Sequence, residues 1–78
     1  MKNIKMYTSS YCPYCANAEK LLSEKGFEII EKIPVDEDLR ALEKMIEITG
    51  KRTVPQIFID KLYIGGFEEL REFNLSGE

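Results

Sequence analysis

Tyr7-Thr8-Ser9-Ser10-Tyr11-Cys12-Pro13-Tyr14-Cys15 is the stretch on which the fold turns. Just upstream, Ile4, Met6 and Thr8 alternate with Lys5 and Tyr7, the period of a half-exposed strand that runs from Ile4 to Thr8. Ser9, Ser10 and Tyr11 read as a loop. Pro13 is favoured at the first position of a helix, because the N–H it lacks would have no partner there. Cys15, Ala18, Leu21 and Leu22 then recur at helical spacing and mark an inner face. Both cysteines of the chain therefore stand where a strand passes into a helix. A thiol at that point meets the positive end of the helix dipole and a set of unpaired backbone N–H groups. Both favour the thiolate, which is the nucleophile in disulfide exchange. Cys12, at or just before the first turn, is the expected nucleophile. Cys15, one turn on, is the expected resolving thiol and the more buried of the two.

Outward from this stretch, Gly26 is a plausible helix stop, and Phe27 to Ile33 reads as a second strand ended by Pro34. Asp36-Glu37-Asp38 sits where a helix start welcomes negative charge. Leu39, Leu42, Met45 and Ile46 give the next helix one apolar stripe that Gly50 ends. Val54 to Ile59 is a third strand and Leu62 to Ile64 a fourth, joined by a tight turn at Asp60-Lys61 that lacks the glycine best suited to it. Gly65-Gly66 breaks the strand, and Phe67 to about Phe73 makes a short last helix. The order βαβαββα predicts a parallel pair joined by a right-handed crossover, an antiparallel hairpin, and helices flanking a four-stranded mixed sheet. This is the smallest form of a thioredoxin-like α/β fold, with the thiols at the carboxyl end of a strand, where open α/β sheets place ligands.

The bulk composition narrows the function. Seventy-eight residues make one small domain, expected to span 1–78. A bridge between Cys12 and Cys15 closes too short a loop to staple such a domain, so the pair reads as chemistry. The apolar runs are only a few residues long, which predicts no transmembrane segment. The first residues lack the apolar stretch of a signal peptide, which points to a reducing cytoplasm. A net charge of −3 argues against nucleic acid as the main partner. The absence of histidine excludes His-based acid–base catalysis and most zinc sites. A lone CxxC supplies half the ligands of a zinc or iron–sulfur site. An intrachain metal site, a cluster shared between subunits, or a chance pair therefore stand behind redox exchange.

Two further motifs add to the reading. Thr53-Val54-Pro55 opens the third strand, either as an edge strand tolerating a proline or with a cis Val54–Pro55 bond that turns the Val54 N–H and C=O outward to meet an extended peptide. Gly65-Gly66 before a helix start is either a plain turn or backbone room for a ligand. Glu68 and Glu69 read as ordinary first-turn acids or as partners for a ligand ammonium.

Together, YTSSYCPYC (7–15), TVPQIFI (53–59) and IGGFEEL (64–70) resemble the active-site, cis-proline and Gly-Gly segments of glutaredoxins. They stand in that family's order and at its spacing, and the resemblance runs from Ile4 to Phe73. It is closest to the small bacterial dithiol glutaredoxins of the CPYC type. The resemblance implies a glutathione-disulfide oxidoreductase with no permanently bound cofactor and glutathione as cosubstrate. Its partners would be disulfide-containing or glutathionylated proteins, ribonucleotide reductase among them, and the chain is expected to be a monomer. Cys12 would match the nucleophile and Cys15 the resolving thiol. Tyr14 and Thr53 would line the glutathione groove. Val54, beside Pro55, would bind the cysteinyl main chain. Gly66, Phe67 and Glu68 would receive the γ-glutamyl carboxylate.

Two segments depart from the family pattern. Ser9 stands where many members carry a lysine, and Lys51 or Arg52 is the candidate substitute for its charge. Glu68-Glu69 stands where aspartates are frequent. Two alternatives remain. One is a redoxin of the same fold reduced by thioredoxin reductase, which Ser9 permits and CPYC and Gly-Gly disfavour. The other is a glutathione-dependent iron–sulfur cluster carrier, which Pro13 disfavours.

Overall fold

The computed structural model describes residues 3–73, so the expected domain span of 1–78 reaches past the described residues at both ends. The elements are β1 (Ile4–Thr8), α1 (Pro13–Glu24), β2 (Ile29–Pro34), α2 (Leu39–Thr49), β3 (Gln56–Ile59), β4 (Leu62–Gly65) and α3 (Phe67–Glu72). This is the expected order, and the architecture is the expected thioredoxin-like one.

Each helix boundary has a local cause. Cys12 caps α1: its backbone is extended and its sulfur accepts the Cys15 N–H. At the other end, Gly26 takes a left-handed φ of 84°. The Gly26 N–H donates to the Ser23 carbonyl and the Phe27 N–H to the Leu22 carbonyl, the Schellman arrangement that ends a helix. The Phe27 N–H is thereby committed to the helix, which is why β2 begins at Ile29 and not at Phe27. Asp38 caps α2 by accepting the Arg40 and Ala41 N–H groups through Oδ1 at 3.0 and 3.4 Å.

The strands lie in the order β2-β1-β3-β4. β1 runs parallel to β2 and antiparallel to β3, and β3 and β4 form the antiparallel hairpin. The turn without a glycine is solved by Asp60. It adopts φ 56°, a conformation that aspartate tolerates better than most residues. Its Oδ1 accepts the Asn3 N–H at 3.0 Å, and its own N–H donates to the Asn3 carbonyl at 2.7 Å.

One face of the sheet presents Ile4, Met6, Ile57 and Ile59, which pack with Ala18 and Leu22 of α1 and Leu70 of α3. Fully burying a side chain such as Leu22 contributes about 1.5–3 kcal/mol. The opposite face carries an aromatic row. Tyr7 meets Phe58 edge-on at 6.2 Å, and Phe58 lies 5.1 Å from Tyr63. Tyr7 is only 1 % exposed, which corrects the reading of β1 as half-exposed. A central strand is covered on both faces, and alternation then no longer distinguishes inside from outside.

Candidate functional site

β1 ends at Thr8, and the loop Ser9–Tyr11 delivers Cys12 to the start of α1. Carboxylates from the segment before α2 hold that loop: the Ser10 N–H donates to Asp36 Oδ2 at 3.2 Å, and the Ser10 hydroxyl to Glu37 Oε2 at 3.4 Å. Tyr11, next to Cys12, is 92 % exposed.

The two thiols sit in different surroundings. Cys12 is half-buried and Cys15 is buried, 2 % exposed. Cys12 Sγ accepts the Cys15 N–H at 3.2 Å and donates its S–H to the Val54 carbonyl at 3.5 Å. Residues 42 positions apart in sequence therefore meet at the sulfur. Burial, followed by a hydrogen bond with Cys12, pushes the Cys15 thiol up from 9.0 to about 11. Cys15 thus keeps its proton at neutral pH.

Two openings flank the pair. The first, 210 Å³ in volume, is lined by Tyr14 from α1, by Thr53, Val54 and Pro55, and by Gly66 with Phe67, Glu68 and Glu69. All of the non-cysteine residues expected at the site fall on this one groove, brought together from three segments. The Val54–Pro55 bond is cis. The Tyr14 and Phe67 rings approach to 6.2 Å across the groove. Gly65 takes φ 122°, and a Cβ on it would come within 2.8 Å of the Glu69 side chain. Glu69 itself folds back so that Oε1 accepts the Gly66 N–H at 2.7 Å. Glu68 pairs with Arg71 one turn along α3.

The second opening, 390 Å³, lies on the other flank. It is lined by Thr8, Ser9, Ser10, Cys12, Cys15, Ala16 and Pro34 and by the ion-paired Glu19 and Lys32, 3.3 Å apart. Ser9 therefore faces this second opening. Lys51 and Arg52 are exposed, and neither lines the groove.

Sequence reasoning missed Gln56. It is the one polar residue fully buried among those described, and it bonds to Thr53 and Tyr63 beneath the groove. A polar residue in the otherwise apolar run Pro55–Ile59 was the available signal. Among the described residues, no group of three or more His, Cys, Asp or Glu side chains converges on a metal position, and no helix is long and apolar enough to cross a membrane.

Comparison with known proteins agrees with this geometry. Residues 4–64 match the family model for glutaredoxin. A glutaredoxin of Neisseria meningitidis serogroup B is 42 % identical over 77 residues, 99 % of this chain and 91 % of that protein. Glutaredoxin 3 of Escherichia coli is 43 % identical over 77 residues, 99 % of this chain and 92 % of that protein. Among solved structures, the solution structure of glutaredoxin from Brucella melitensis has a TM-score of 0.80 at 36 % identity, covering 96 % of this chain and 80 % of that one. The crystal structure of a buckwheat glutaredoxin–glutathione complex has a TM-score of 0.82 at 28 % identity, covering 91 % of this chain and 66 % of that one.

Proposed function

The chain belongs to the glutaredoxin family and is a thiol–disulfide oxidoreductase, and from that premise we propose that it works with glutathione, reducing glutathione mixed disulfides and protein disulfides in the cytoplasm as a single domain of residues 1–78. Cys12 acts as the nucleophile and Cys15 as the resolving thiol. Tyr14, Thr53, Val54, Pro55, Gly66, Phe67 and Glu68 hold the glutathione moiety. The observation that carries this reading is the 210 Å³ groove, which gathers all seven of these residues, together with the Cys12 sulfur 3.5 Å from the Val54 carbonyl at its edge.

The chemistry follows from the placement of the thiols. On a glutathionylated substrate, the Cys12 thiolate attacks the glutathione sulfur. The Cys12–glutathione bond forms, the substrate's S–S bond breaks, and the substrate thiolate leaves and takes a proton from solvent. A second glutathione thiolate then attacks the bound glutathione sulfur. Glutathione disulfide leaves, and Cys12 returns as thiolate. On a protein disulfide, the Cys12 thiolate attacks one sulfur, the substrate's S–S bond breaks, and its second sulfur leaves as a thiolate while the first stays bonded to Cys12. Cys15 gives up its proton, which the departing substrate thiolates take up by way of solvent, and attacks Cys12 Sγ. This closes the Cys12–Cys15 bridge and releases the reduced protein, and two glutathione molecules then reopen the bridge and leave as glutathione disulfide. In the first route Cys15 only has to stay out of the way, and its raised pKa keeps it a thiol.

The test uses two variants and two substrates. Cys12→Ser abolishes both reactions. Cys15→Ser retains deglutathionylation and loses protein-disulfide reduction. Activity that survives Cys12→Ser but not Cys15→Ser reverses the roles. Turnover supported by thioredoxin reductase and not by glutathione with its reductase removes the glutathione dependence.

A further inference from the structure

The buried carboxamide of Gln56 has a use that neither the fold nor the thiol chemistry accounts for. Gln56 is 1 % exposed, and a buried amide left unsatisfied costs about 1–3 kcal/mol per group. Its partners are therefore what justify it. Nε2 lies 2.9 Å from the Thr53 carbonyl oxygen and 3.3 Å from Thr53 Oγ1, and Oε1 lies 2.5 Å from the Tyr63 hydroxyl.

The direction of this chain is fixed by chemistry. A carbonyl only accepts, so the NH₂ end must face Thr53. Oε1 also only accepts, so Tyr63 must donate. Burial and then the charge of Glu69 raise the Tyr63 pKa above 10.0, so the donor keeps its proton.

The consequence appears one atom further on. The Thr53–Val54 peptide is planar and trans, so its C=O and N–H point in opposite directions. With the Thr53 carbonyl turned inward to the buried amide, the Val54 N–H must point away from the core. That N–H has no acceptor among the described residues, and Val54 lines the 210 Å³ groove. Tyr63 stands on β4, two residues before Gly65, so the same bridge ties the Thr53–Pro55 wall to the strand that leads into the Gly66–Glu69 wall.

We infer that Gln56, oriented by Tyr63, is a positioning residue that aims the Val54 N–H at the main chain of a bound glutathionyl group. The inference rests on the reading of the groove as the glutathione site. Gln56 touches no reacting atom. Its effect belongs in the KM for glutathionyl substrates and not in the chemical step.

The experiment uses the full chain with two probes. One is the mixed disulfide of glutathione and 2-mercaptoethanol. The other is an intact protein disulfide reduced with dithiothreitol, which needs no glutathione. Gln56→Leu is expected to raise KM for the first about tenfold with kcat held within about twofold, the loss of roughly one aimed hydrogen bond, and to leave turnover of the second unchanged. Tyr63→Phe should raise the same KM by a smaller factor, and the double variant should be no worse than Gln56→Leu alone. Gln56→Glu supplies a signature that packing alone would not give. Protonated, its carboxyl donates to Thr53 as the amide does, and KM stays near that of the parent. As pH rises and the group ionises, KM climbs towards the Gln56→Leu value.

An unchanged KM in Gln56→Leu overturns the inference, as does a pH-independent KM in Gln56→Glu. Equal losses on both probes also overturn it, because they assign Gln56 to the fold alone. A parent protein that shows no preference for the glutathionyl probe overturns the groove assignment itself, a result read before any variant is made.

Discussion

Replacing Gly65 with alanine places two separate penalties on one carbon atom. The first is conformational. Gly65 holds φ 122°, where a residue with a Cβ is strained by about 1–3 kcal/mol. The second is steric. The new Cβ would lie 2.8 Å from Glu69 Cγ and Oε1 and 2.9 Å from Glu69 Cβ. Glu69 must therefore swing away and release the Gly66 N–H that it holds at 2.7 Å, a lost cap interaction of about 1 kcal/mol. The sum is about 2–4 kcal/mol, a large share of the stability of so small a domain. At about 4–8 °C per kcal/mol for a chain of this size, the melting temperature should fall by at least about 8 °C.

Urea denaturation followed by circular dichroism measures the effect, and Glu69→Ala separates its parts. In that background the cap is already lost, and the contacts with Cγ and Oε1 are gone. The cost of Gly65→Ala should therefore shrink by about 1 kcal/mol, while the backbone strain and the contact with Cβ remain. A Gly65→Ala variant within about 0.5 kcal/mol of the parent would refute the backbone argument. An identical cost in both backgrounds would refute the role given to Glu69.

Three other outcomes follow from the same geometry. Cys15 holds its proton up to about pH 11 when folded, whereas the unfolded thiol loses it near 9, so the folded state binds more protons between the two. The Cys15 contribution to stability should then fall across that window by on the order of 2 kcal/mol, and in urea titrations at about pH 8 and about pH 11 a Cys15→Ser control should decline by less than the parent, keeping only the part owed to other groups such as Tyr63. Asp38→Ala removes the acceptor for two α2 N–H groups and should cost about 1 kcal/mol without changing deglutathionylation kcat. Leu22→Ala empties a fully buried position of the core cluster and should cost about 2–5 kcal/mol, read as a lower urea midpoint.

The order and type of every element were legible because each boundary carries a local signal: Pro13 opens α1, Gly26 closes it, and Asp38 and Gly50 bracket α2. The misplaced edges arose where a backbone group was already engaged elsewhere. The Phe27 N–H belongs to the end of α1, and the Val54–Pro55 segment faces the groove, so regular pairing of β3 starts at Gln56. The thiols were readable from spacing and helix position alone. Gathering Tyr14, Thr53–Pro55 and Gly66–Glu68 into one groove required the resemblance, since nothing local says that residues so far apart will meet. The bond between Cys12 and Val54, the Ser10 contacts with Asp36 and Glu37, and the Gln56–Tyr63 bridge were not legible, because each depends on tertiary approach between side chains that look ordinary in sequence.

The strand order also has a bearing on how the molecule behaves in a crowd. With β1 and β3 inside, the open rims of the sheet belong to β2 and β4, and an open rim invites a stranger's backbone to zip onto it. β2 is guarded by exposed Glu31 and Lys32 and stops at Pro34, while β4 runs for only four residues before it turns into α3. Among the described residues, neither rim combines length with bare backbone, so the sheet gives a stranger's strand little to zip onto.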